Sequence, residues 1–512
     1  DWGGVSPVTP DHVNPEAPWP HIDSLALQTA QQDKLLVERL SIYPKYLQSH
    51  NIWLDQYLRG AVLAYSDADG LARTENWSPG RAEAEDNPIP VMNITNGFIR
   101  DHNLDVILDR ASNGNPLEER DIIRLFQARD GEVQIVVSAA NELRKKVNGD
   151  AVQYVVNRNI NYTNVCYFGC KFCAFSKGKT AESLRGKPYD LTIEEILRRA
   201  VEAWDRGATE VCLQGGIHPA YDGNTYLEIT RQLKRVLPDL HIHAFSPLEV
   251  YQGANTLGFS LDKFLGKLKD AGLGSLPGTA AEILDDEVRA ILCPDKVNTS
   301  QWLEVIEAAH QVGLKTTSTI MFGHIETPRH WARHLIRLRD LQGRTGGITE
   351  FVPLPFVHME APIYLKGEAR RGPSWRETVL IHSISRLVLH PLIQNIQTSW
   401  VKLGPMGAGI CLDAGANDLG GTLMNETITR SAGASHGQEF SPEQMDNLIK
   451  KLGKTPSQRS TLYGAVNNVQ ELKSYAAIPL EEVVNNNVKK YSKKVKPQFF
   501  STVDQKSQHI AE

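Results

Sequence analysis

The stretch V-C-Y-F-G-C-K-F-C-A-F-S-K at residues 165–177 decides how the rest of this chain is interpreted. Its three cysteines, Cys166, Cys170 and Cys173, have the spacing C-x3-C-x2-C and are half of the six cysteines in the chain. Three thiolates on one loop can ligate three irons of a 4Fe-4S cluster and leave the fourth iron without a protein ligand. Phe172 places an aromatic ring beside that open iron. The spacing alone also fits a zinc knuckle or three incidental thiols.

Composition limits the class of protein. With 512 residues, of which 41% are hydrophobic and 22% charged, the chain has room for two or three globular domains or for one barrel with appendages. The formal net charge of -5 offers no basic field for nucleic acid, and no apolar run approaches the length of a membrane span. We therefore expect neither nucleic acid nor membrane as a partner. Few cysteines, clustered in one loop, indicate a reducing compartment, and we expect the cytoplasm.

From residue 152 onward, apolar strand-like segments alternate with amphipathic helices. Eight such alternations predict an α/β fold, a TIM-like βα-barrel over residues 151–437. The cysteine loop follows the first strand, which places it at the C-terminal mouth where barrel enzymes keep their chemistry. The predicted strands are 154–160, 210–215, 241–246, 273–277, 315–323, 350–356, 395–403 and 414–423.

The flanking regions differ from the barrel. The opening D-W-G-G-V-S-P at residues 1–7 recurs as D-L-G-G-T-L-M at residues 418–424, so we expect residues 1–80 to be the end of a preceding barrel. Because the chain begins with Asp1 rather than Met, we expect a piece of a longer protein. Residues 81–150 are predicted to be a helical lead-in, and residues 438–470 a small helical extension. Residues 471–512 form a polar, lysine-containing tail that we expect to be disordered.

The cysteine loop resembles the C-x3-C-x2-aromatic-C signature of the radical S-adenosylmethionine (SAM) enzymes. The resemblance implies that the open iron binds SAM and that one electron releases a 5'-deoxyadenosyl radical. Gln214, Gly215 and Gly216 resemble the family motif that binds the SAM amino group. Ile217 stands where that motif has an acid, so only backbone contacts are carried over.

Two further stretches are candidates for SAM binding. T-I-M-F-G-H-I-E at residues 319–326 resembles the adenine-binding motif at Gly323 and Glu326, although Thr319 and Met321 depart from it. Glu326 could instead be an N-terminal cap of the helix that follows. Glu282 could accept hydrogen bonds from the SAM ribose or ammonium, or could simply begin a helix. The sequence singles out no catalytic side chain.

Longer strings narrow the resemblance to one group of radical SAM enzymes. N-R-N-I-N-Y-T-N-V-C at residues 157–166, H-I-H-A-F-S-P-L-E-V at 241–250 and A-N-D-L-G-G-T at 416–422 are similar to this group. It contains FO synthase subunit 2 (CofH), the aminofutalosine synthase and the futalosine cyclase. The similarity covers about residues 90–468 and is closest to CofH, whereas residues 1–80 resemble the C-terminus of the companion enzyme CofG. The chain thus resembles the second half of a fused, bifunctional FO synthase.

This resemblance implies a transferase. It would join the 4-hydroxybenzyl group of L-tyrosine to 5-amino-6-(D-ribitylamino)uracil, releasing 2-iminoacetate, 5'-deoxyadenosine and methionine on the way to the deazaflavin FO. The implied partners are an electron donor of the flavodoxin or ferredoxin type and a CofG-type domain for the next step. The alternatives are a menaquinone-pathway relative and a non-catalytic iron–sulfur or zinc module.

Overall fold

The computed structural model describes residues 4–6, 9–10, 12–16, 19–32, 34–90, 102–176 and 187–488. The start of the D-W-G-G copy at residues 1–3 and the lysines of the tail beyond residue 488 lie outside these ranges, so the predictions on them stay predictions. Within the described ranges, no helix is both long enough and apolar enough to cross a membrane.

Seven helices precede the first strand in the described ranges, and from residue 151 onward strands and helices follow one another. The strands are β1 (Ala151–Val155), β2 (Asn157–Ile160), β3 (Glu210–Leu213), β4 (His241–Ala244), β5 (Ser275–Leu276), β6 (Lys315–Phe322), β7 (Ile348–Pro355), β8 (Asp418–Gly421) and β9 (Thr455–Gln458). The helices are α1 (Ile22–Ala30), α2 (Pro44–Leu47), α3 (His50–Trp53), α4 (Gln56–Ala64), α5 (His102–Ser112), α6 (Glu119–Phe126), α7 (Gly131–Asn148), α8 (Ile193–Asp205), α9 (Gly223–Val236), α10 (Pro247–Leu257), α11 (Leu261–Asp270), α12 (Asp286–Leu292), α13 (Thr299–Gln311), α14 (Pro328–Thr345), α15 (Pro362–Leu365), α16 (Trp375–Leu389), α17 (Trp400–Asp413), α18 (Ile428–Ser431), α19 (Pro442–Lys451) and α20 (Asn468–Tyr475).

The strands form a barrel of parallel pairs. A six-stranded sheet has the order β2-β3-β4-β5-β6-β7, and a three-stranded sheet has the order β8-β1-β9. Because β1 runs almost directly into β2, the two sheets are continuous on one side. On the other side, isolated parallel bridges of Phe351 with Ile396 and of Gln397 with Asp418 lead from β7 to β8, and a third bridge joins Arg158 of β2 with Met424. The predicted α/β fold, a partial or complete TIM-like βα-barrel, is confirmed.

One predicted strand is wrong. Residues 395–403 were expected to be extended, but only Ile396 and Gln397 pair with neighbouring strands, and α17 begins at Trp400. The apolar residues of this stretch suit a buried helix as well as a buried strand, so their pattern could not separate the two. Helix α17 is interrupted at Gly404, which has a φ of 70° and is followed by Pro405.

The segments before and after the barrel pack onto its outer layer. Helices α6 and α7 of the lead-in contact α14 and α16. Strand β9 pairs in parallel with β1, with Ala151 opposite Thr455. The described part of the predicted tail continues along α8, where the Asn486 carbonyl accepts a hydrogen bond of 3.0 Å from the Asp190 amide.

Arg459, which follows β9, closes the end of the barrel opposite the cysteine loop. Its Nε lies 2.6 Å from Asp418 Oδ2, and its Nη2 lies 3.0 Å from Glu350 Oε2. The Tyr463 hydroxyl donates a further hydrogen bond of 2.6 Å to Glu350. All three charged side chains are nearly inaccessible to solvent. A buried cation therefore compensates two buried carboxylates at this end.

We predict that Arg459→Met lowers the free energy of unfolding by about 3–5 kcal/mol, because Asp418 and Glu350 lose their buried cation. Urea unfolding monitored by circular dichroism would measure the change. The matched control is Arg329→Met, which removes an exposed ion pair with Glu287 and should cost less than about 1 kcal/mol. Equal losses in the two variants would contradict the prediction.

Candidate active site

The cysteine loop leaves the barrel directly after β2 and is held by the loops around it. The Tyr167 amide donates to the Ile217 carbonyl at 3.2 Å, and the Lys171 amide donates to the Leu292 carbonyl at 2.9 Å. Ile217 lies in the loop after β3, and Leu292 is the last residue of α12. The loop is thus fixed at the mouth by backbone contacts with other crossover connections, as its position after the first strand predicts.

The three thiols are suited to bind a metal cluster. None of them is in a disulfide. Burial raises the pKa of Cys166 to about 11, and it also raises the pKa values of Cys170 and Cys173. In the metal-free protein these groups are therefore neutral thiols, and a bound metal would stabilise the thiolates. The Ser176 amide donates to Cys173 Sγ at 3.3 Å, as amides do toward the ligand sulfurs of iron–sulfur clusters. The donor set and its surroundings thus fit the implied 4Fe-4S cluster.

Gly215 and Gly216 are glycines because the cysteine loop packs against them. A Cβ on Gly216 would lie 2.3 Å from the Val165 carbonyl oxygen and 3.0 Å from Cys166 Cβ. A Cβ on Gly215 would lie 2.4 Å from the Tyr162 ring. Any larger residue would push the cysteine loop away from β3. The resemblance to a SAM-binding motif therefore coincides with a packing requirement.

The residues next to these glycines complete the turn after β3. Gln214 Nε2 lies 3.6 Å from Cys212 Sγ. The residue that follows the glycines is Ile217 rather than an acid, and its side chain is buried. The Glu249 carboxylate, which the sequence did not predict as a site residue, contacts the first of these glycines. Its Oε1 accepts from the Gly215 amide at 3.3 Å and from the Tyr162 hydroxyl.

Glu249 belongs to the capping box that begins α10. Its Oε2 accepts from the Ser246 amide at 2.7 Å and from the Ser246 hydroxyl at 2.6 Å. The S-P-L-E sequence at residues 246–249 is a recognisable capping box and could have located the carboxylate. Its contact with Gly215 depends on the fold and could not be anticipated.

Glu282 lies close to the cysteine loop and does not begin a helix. Helix α12 starts at Asp286 with Asp285 as its N-cap, so the alternative role of Glu282 as a helix start is wrong. Glu282 Oε1 instead lies 2.7 Å from Lys296 Nζ. That ammonium lies 5.4 Å from the centre of the Phe172 ring, within the range of a cation–π contact.

Lys296 was not predicted as a site residue. Burial opposes its charge, but Glu282 and the Cys170 sulfur raise the pKa of Lys296 above its usual value. An ammonium beside the cysteines favours their thiolate forms. Lys296 thus neutralises part of the negative charge that a thiolate cluster would bring to this side of the mouth.

Glu326 organises the loop after β6 and does not cap α14. The N-cap of α14 is Thr327, which pairs with His330, so the capping alternative for Glu326 is wrong. The fully buried Glu326 carboxylate accepts from the amides of Gly323, His324 and Ile325, the latter two at 2.9 Å.

Three side chains also contact the Glu326 carboxylate, and one of them is His324, whose Nδ1 lies 2.7 Å from Oε2. Trp331 Nε1 donates to Oε1 at 3.1 Å, and Arg370 Nη2 donates to the same oxygen at 3.2 Å. Although burial acts in the opposite direction, His324, Arg370 and the amide hydrogen bonds hold the pKa of Glu326 far below its usual value. Glu326 is therefore an anion that gathers the backbone of the 323–326 loop around itself.

The structure brings the predicted residues to one mouth. The Met321 amide donates to the Glu282 carbonyl at 2.8 Å, which joins the 323–326 loop to the region of the cysteine loop. Gly323 has a φ of 99°, a conformation that favours glycine. The glycines after β3 contact the opposite edge of the cysteine loop. The residues that the sequence predicts for the site thus lie near one another, and their binding roles stay predictions; the side chains that support them were not predicted.

Lys402, in the first turn of α17, is a further cation that sequence reasoning missed, because it lies in the wrongly predicted strand 395–403. Within the described ranges, its ammonium has no hydrogen-bond or ion-pair partner. Burial lowers the pKa of Lys402 to about 8, although Glu426 and Glu282 attract its charge. An ammonium held without a partner in such a place is suited to an anionic group of a ligand.

Comparison with known proteins adds independent information. Profiles of the radical SAM superfamily and of the CofH/MqnC C-terminal region match residues 160–338 and 345–472. The FO synthase of Mycobacterium leprae is 44% identical over 503 residues, which are 90% of this chain and 58% of that protein. The FO synthase of Streptomyces coelicolor is 43% identical over 506 residues, again 58% of its length. This chain therefore spans less than two thirds of the FO synthases it matches.

A shorter relative is matched over nearly its whole length. The 5-amino-6-(D-ribitylamino)uracil--L-tyrosine 4-hydroxyphenyl transferase of Methanopyrus kandleri is 52% identical over 331 residues, 65% of this chain and 89% of that protein. Among solved structures, methylornithine synthase (PylB) has a TM-score of 0.55 at 20% identity and covers 69% of this chain and 97% of its own. The hydrogenase maturase HydG of Carboxydothermus hydrogenoformans has a TM-score of 0.53 at 16% identity and covers 70% of this chain and 80% of its own. At these identities the structural likeness shows the fold alone.

The family profile implies a 4Fe-4S cluster and SAM, which the three thiols and their amide donors fit. The match to a radical SAM profile also argues against the zinc knuckle that the cysteine spacing left open. Taken with the 52% identity to a relative that is matched over 89% of its length, these matches show that the chain belongs to the radical SAM enzymes and, within them, to the CofH family.

Proposed function

We propose that this chain is a radical SAM transferase that joins the 4-hydroxybenzyl group of L-tyrosine to 5-amino-6-(D-ribitylamino)uracil, with 2-iminoacetate as the second product. The observation that carries the proposal is the three-cysteine loop, fixed at the mouth of a barrel whose relatives include a protein named for this transfer. The similarity to relatives named FO synthase supports the proposal that this adduct is an intermediate on the way to FO.

The chain's own residues have distinct tasks in this reaction. Cys166, Cys170 and Cys173 would hold the cluster, which together with SAM would supply a 5'-deoxyadenosyl radical upon one-electron reduction. Gly215, Gly216 and the 323–326 loop present backbone groups to SAM, while Phe172 and Glu282 border the same space. The barrel excludes water from the radical. Lys402 binds the tyrosine carboxylate through its ammonium, which has no partner among the described residues.

Partners and location follow from the chemistry. The cluster needs a low-potential electron donor of the flavodoxin or ferredoxin type, and we propose that such a protein serves it. Closing the adduct into the deazaflavin requires a second radical step, which we assign to a CofG-type domain or protein. Free, neutral cysteines suit a reducing compartment, and we propose the cytoplasm.

We predict that Cys166→Ala, Cys170→Ala and Cys173→Ala each abolish the formation of 5'-deoxyadenosine. Anaerobically reconstituted parent protein should bind about four irons per chain, and its electron paramagnetic resonance spectrum should change when SAM is added. The matched control is Cys411→Ala, since Cys411 is buried in α17 away from the loop. Stoichiometric zinc without iron uptake would contradict the assignment.

We predict that Lys402→Met raises the KM for tyrosine roughly 10- to 100-fold, because a hydrogen bond to a charged group is lost. In the parent, kcat/KM for tyrosine should fall as the pH rises past about 8, where Lys402 loses its proton. Steady-state assays at saturating SAM would measure both effects. Lys450→Met, on the exposed side of α19, is the control. An unchanged KM in Lys402→Met would exclude Lys402 from tyrosine binding.

We predict that the chain alone converts tyrosine and the ribityl-aminouracil into their adduct and stops there. Mass spectrometry should show the adduct only when tyrosine, the uracil, SAM and a reductant are all present. Adding an intact CofG-type protein should then produce the fluorescent deazaflavin, because the adduct can diffuse between sites. Fluorescent product from this chain alone would contradict the assignment of the two halves. Activity without tyrosine would favour a menaquinone-pathway relative.

A further inference from the structure

The segment of residues 66–80, called the strap below, lies before the barrel in sequence but is built into it. Ala68 and Trp77 of the strap are buried. The Trp77 ring centre lies 4.9 Å from that of Trp375, at the start of α16. The Gly80 amide donates to the Lys402 carbonyl at 2.7 Å. The strap is thus a constituent of the barrel wall beside α16 and α17.

A first chain of contacts runs from the strap to the 323–326 loop through buried charges. The Ala68 amide donates to Glu377 Oε1 at 2.6 Å. Both oxygens of Glu377 lie 3.1 Å from Arg370 Nη1. Arg370 Nη2 in turn lies 3.2 Å from Glu326 Oε1. Because Glu326 gathers the amides of its loop, Arg370 helps to set the position of that loop.

The part of the strap that contacts Glu377 is itself anchored. The buried Asp67 carboxylate lies 2.7 Å from Arg129 Nη2 and 3.2 Å from Arg376 Nη2. Its other oxygen accepts from the amides of Asp69 and Leu71 at 3.0 and 2.9 Å. The turn that presents the Ala68 amide is therefore held rigidly against α16.

A second chain of contacts runs through backbone packing. Arg73 Nη1 donates to the Gly372 carbonyl at 2.9 Å. A Cβ on Gly372 would lie 2.8 Å from Pro79 Cδ. The next residue, Pro373, packs so closely on the 323–326 loop that a Cβ on Gly323 would lie 2.1 Å from its ring. The strap thus supports the loop from a second direction.

We propose that the strap is a positioning element of the SAM site: residues 66–80 hold Arg370, Glu377, Gly372 and Pro373, which together fix the 323–326 loop that binds SAM. The inference rests on the proposed function for the assignment of SAM to this loop. It adds that a segment preceding the barrel, and resembling the end of another domain, determines the SAM affinity of this one. Arg73 and Asp67 are its positioning residues.

The test compares two buried arginines in the full-length, anaerobically reconstituted chain. Arg73→Gln removes the donor to the Gly372 carbonyl. The matched control, Arg386→Gln, removes an equally buried guanidinium that donates to the Gly415 carbonyl at 2.9 Å and the Gln394 carbonyl at 2.6 Å, away from the 323–326 loop. Equilibrium dialysis with radiolabelled SAM measures the Kd. We expect Arg73→Gln to weaken SAM binding about tenfold and the control to change it less than about twofold.

A second readout needs no cofactor. In the cluster-free protein, amide hydrogen exchange in residues 321–327 should be faster in Arg73→Gln than in the parent, and unchanged in Arg386→Gln. If Arg73→Gln does not fold, Asp67→Asn replaces it, with Asp86→Asn in the exposed pair with Arg81 as its control. The same differences in Kd and exchange are then expected. Equal Kd values and equal exchange in a variant and its control would overturn the inference.

The two proposals fail in different ways. If the parent protein takes up iron but binds no SAM, the proposed function is wrong. If the parent binds SAM and both arginine variants bind it equally well, the proposed function stands and the role of the strap is wrong.

Discussion

The close approach between the cysteine loop and the glycines after β3 is the constraint on which the site depends. Parallel strands bring the loops at their carboxyl ends to one mouth, but they do not by themselves fix a flexible loop of three cysteines. Gly216 leaves room for the Val165 carbonyl and Cys166 Cβ at distances that a side chain would not permit. The first cysteine is therefore placed by a backbone contact, and the Ser176 amide directs a hydrogen bond to the third. The position of the first cysteine therefore depends on how the loop after β3 packs in the barrel.

Charge at the mouth follows a consistent pattern. Glu282 is paired with Lys296, Glu326 with Arg370, and Glu249 with the hydroxyls and amides around it. Buried carboxylates that already have partners present little free negative charge to an anionic cluster. Lys402 differs, because its ammonium has no hydrogen-bond or ion-pair partner in the described part of the chain. The carboxylates around the cysteine loop are thus compensated by partners within the protein, whereas this cation is not.

The sequence predicted those features that depend on neighbouring residues. The cysteine spacing, the barrel alternation and the paired glycines are local patterns, and each was found at the predicted place. The prediction that failed was also based on a local pattern. Residues 395–403 have an apolar composition that suits either a strand or a buried helix, so the start of α17, which contains Lys402, was not predicted. Glu326 was considered as a cap because it precedes Pro328, yet Thr327 takes that role. The long-range partners Lys296, Glu249 and Arg370 meet the site only through the fold, and no spacing in the sequence indicates them.

The strap shows why such support escapes sequence reasoning. Its contact with Glu377 is made by the Ala68 backbone amide, across 309 positions of the chain, and any residue other than proline could supply that donor. The contact of Arg73 with Gly372 is likewise made to a backbone carbonyl. Resemblance assigned residues 1–80 to the end of another barrel, because similarity follows side chains and motifs. In the structure, residues 66–80 pack as a part of this barrel, because they form hydrogen bonds with it and bury side chains against it. A segment can therefore resemble the end of one domain in sequence and still pack as a part of the next one, here against the residues that hold the 323–326 loop.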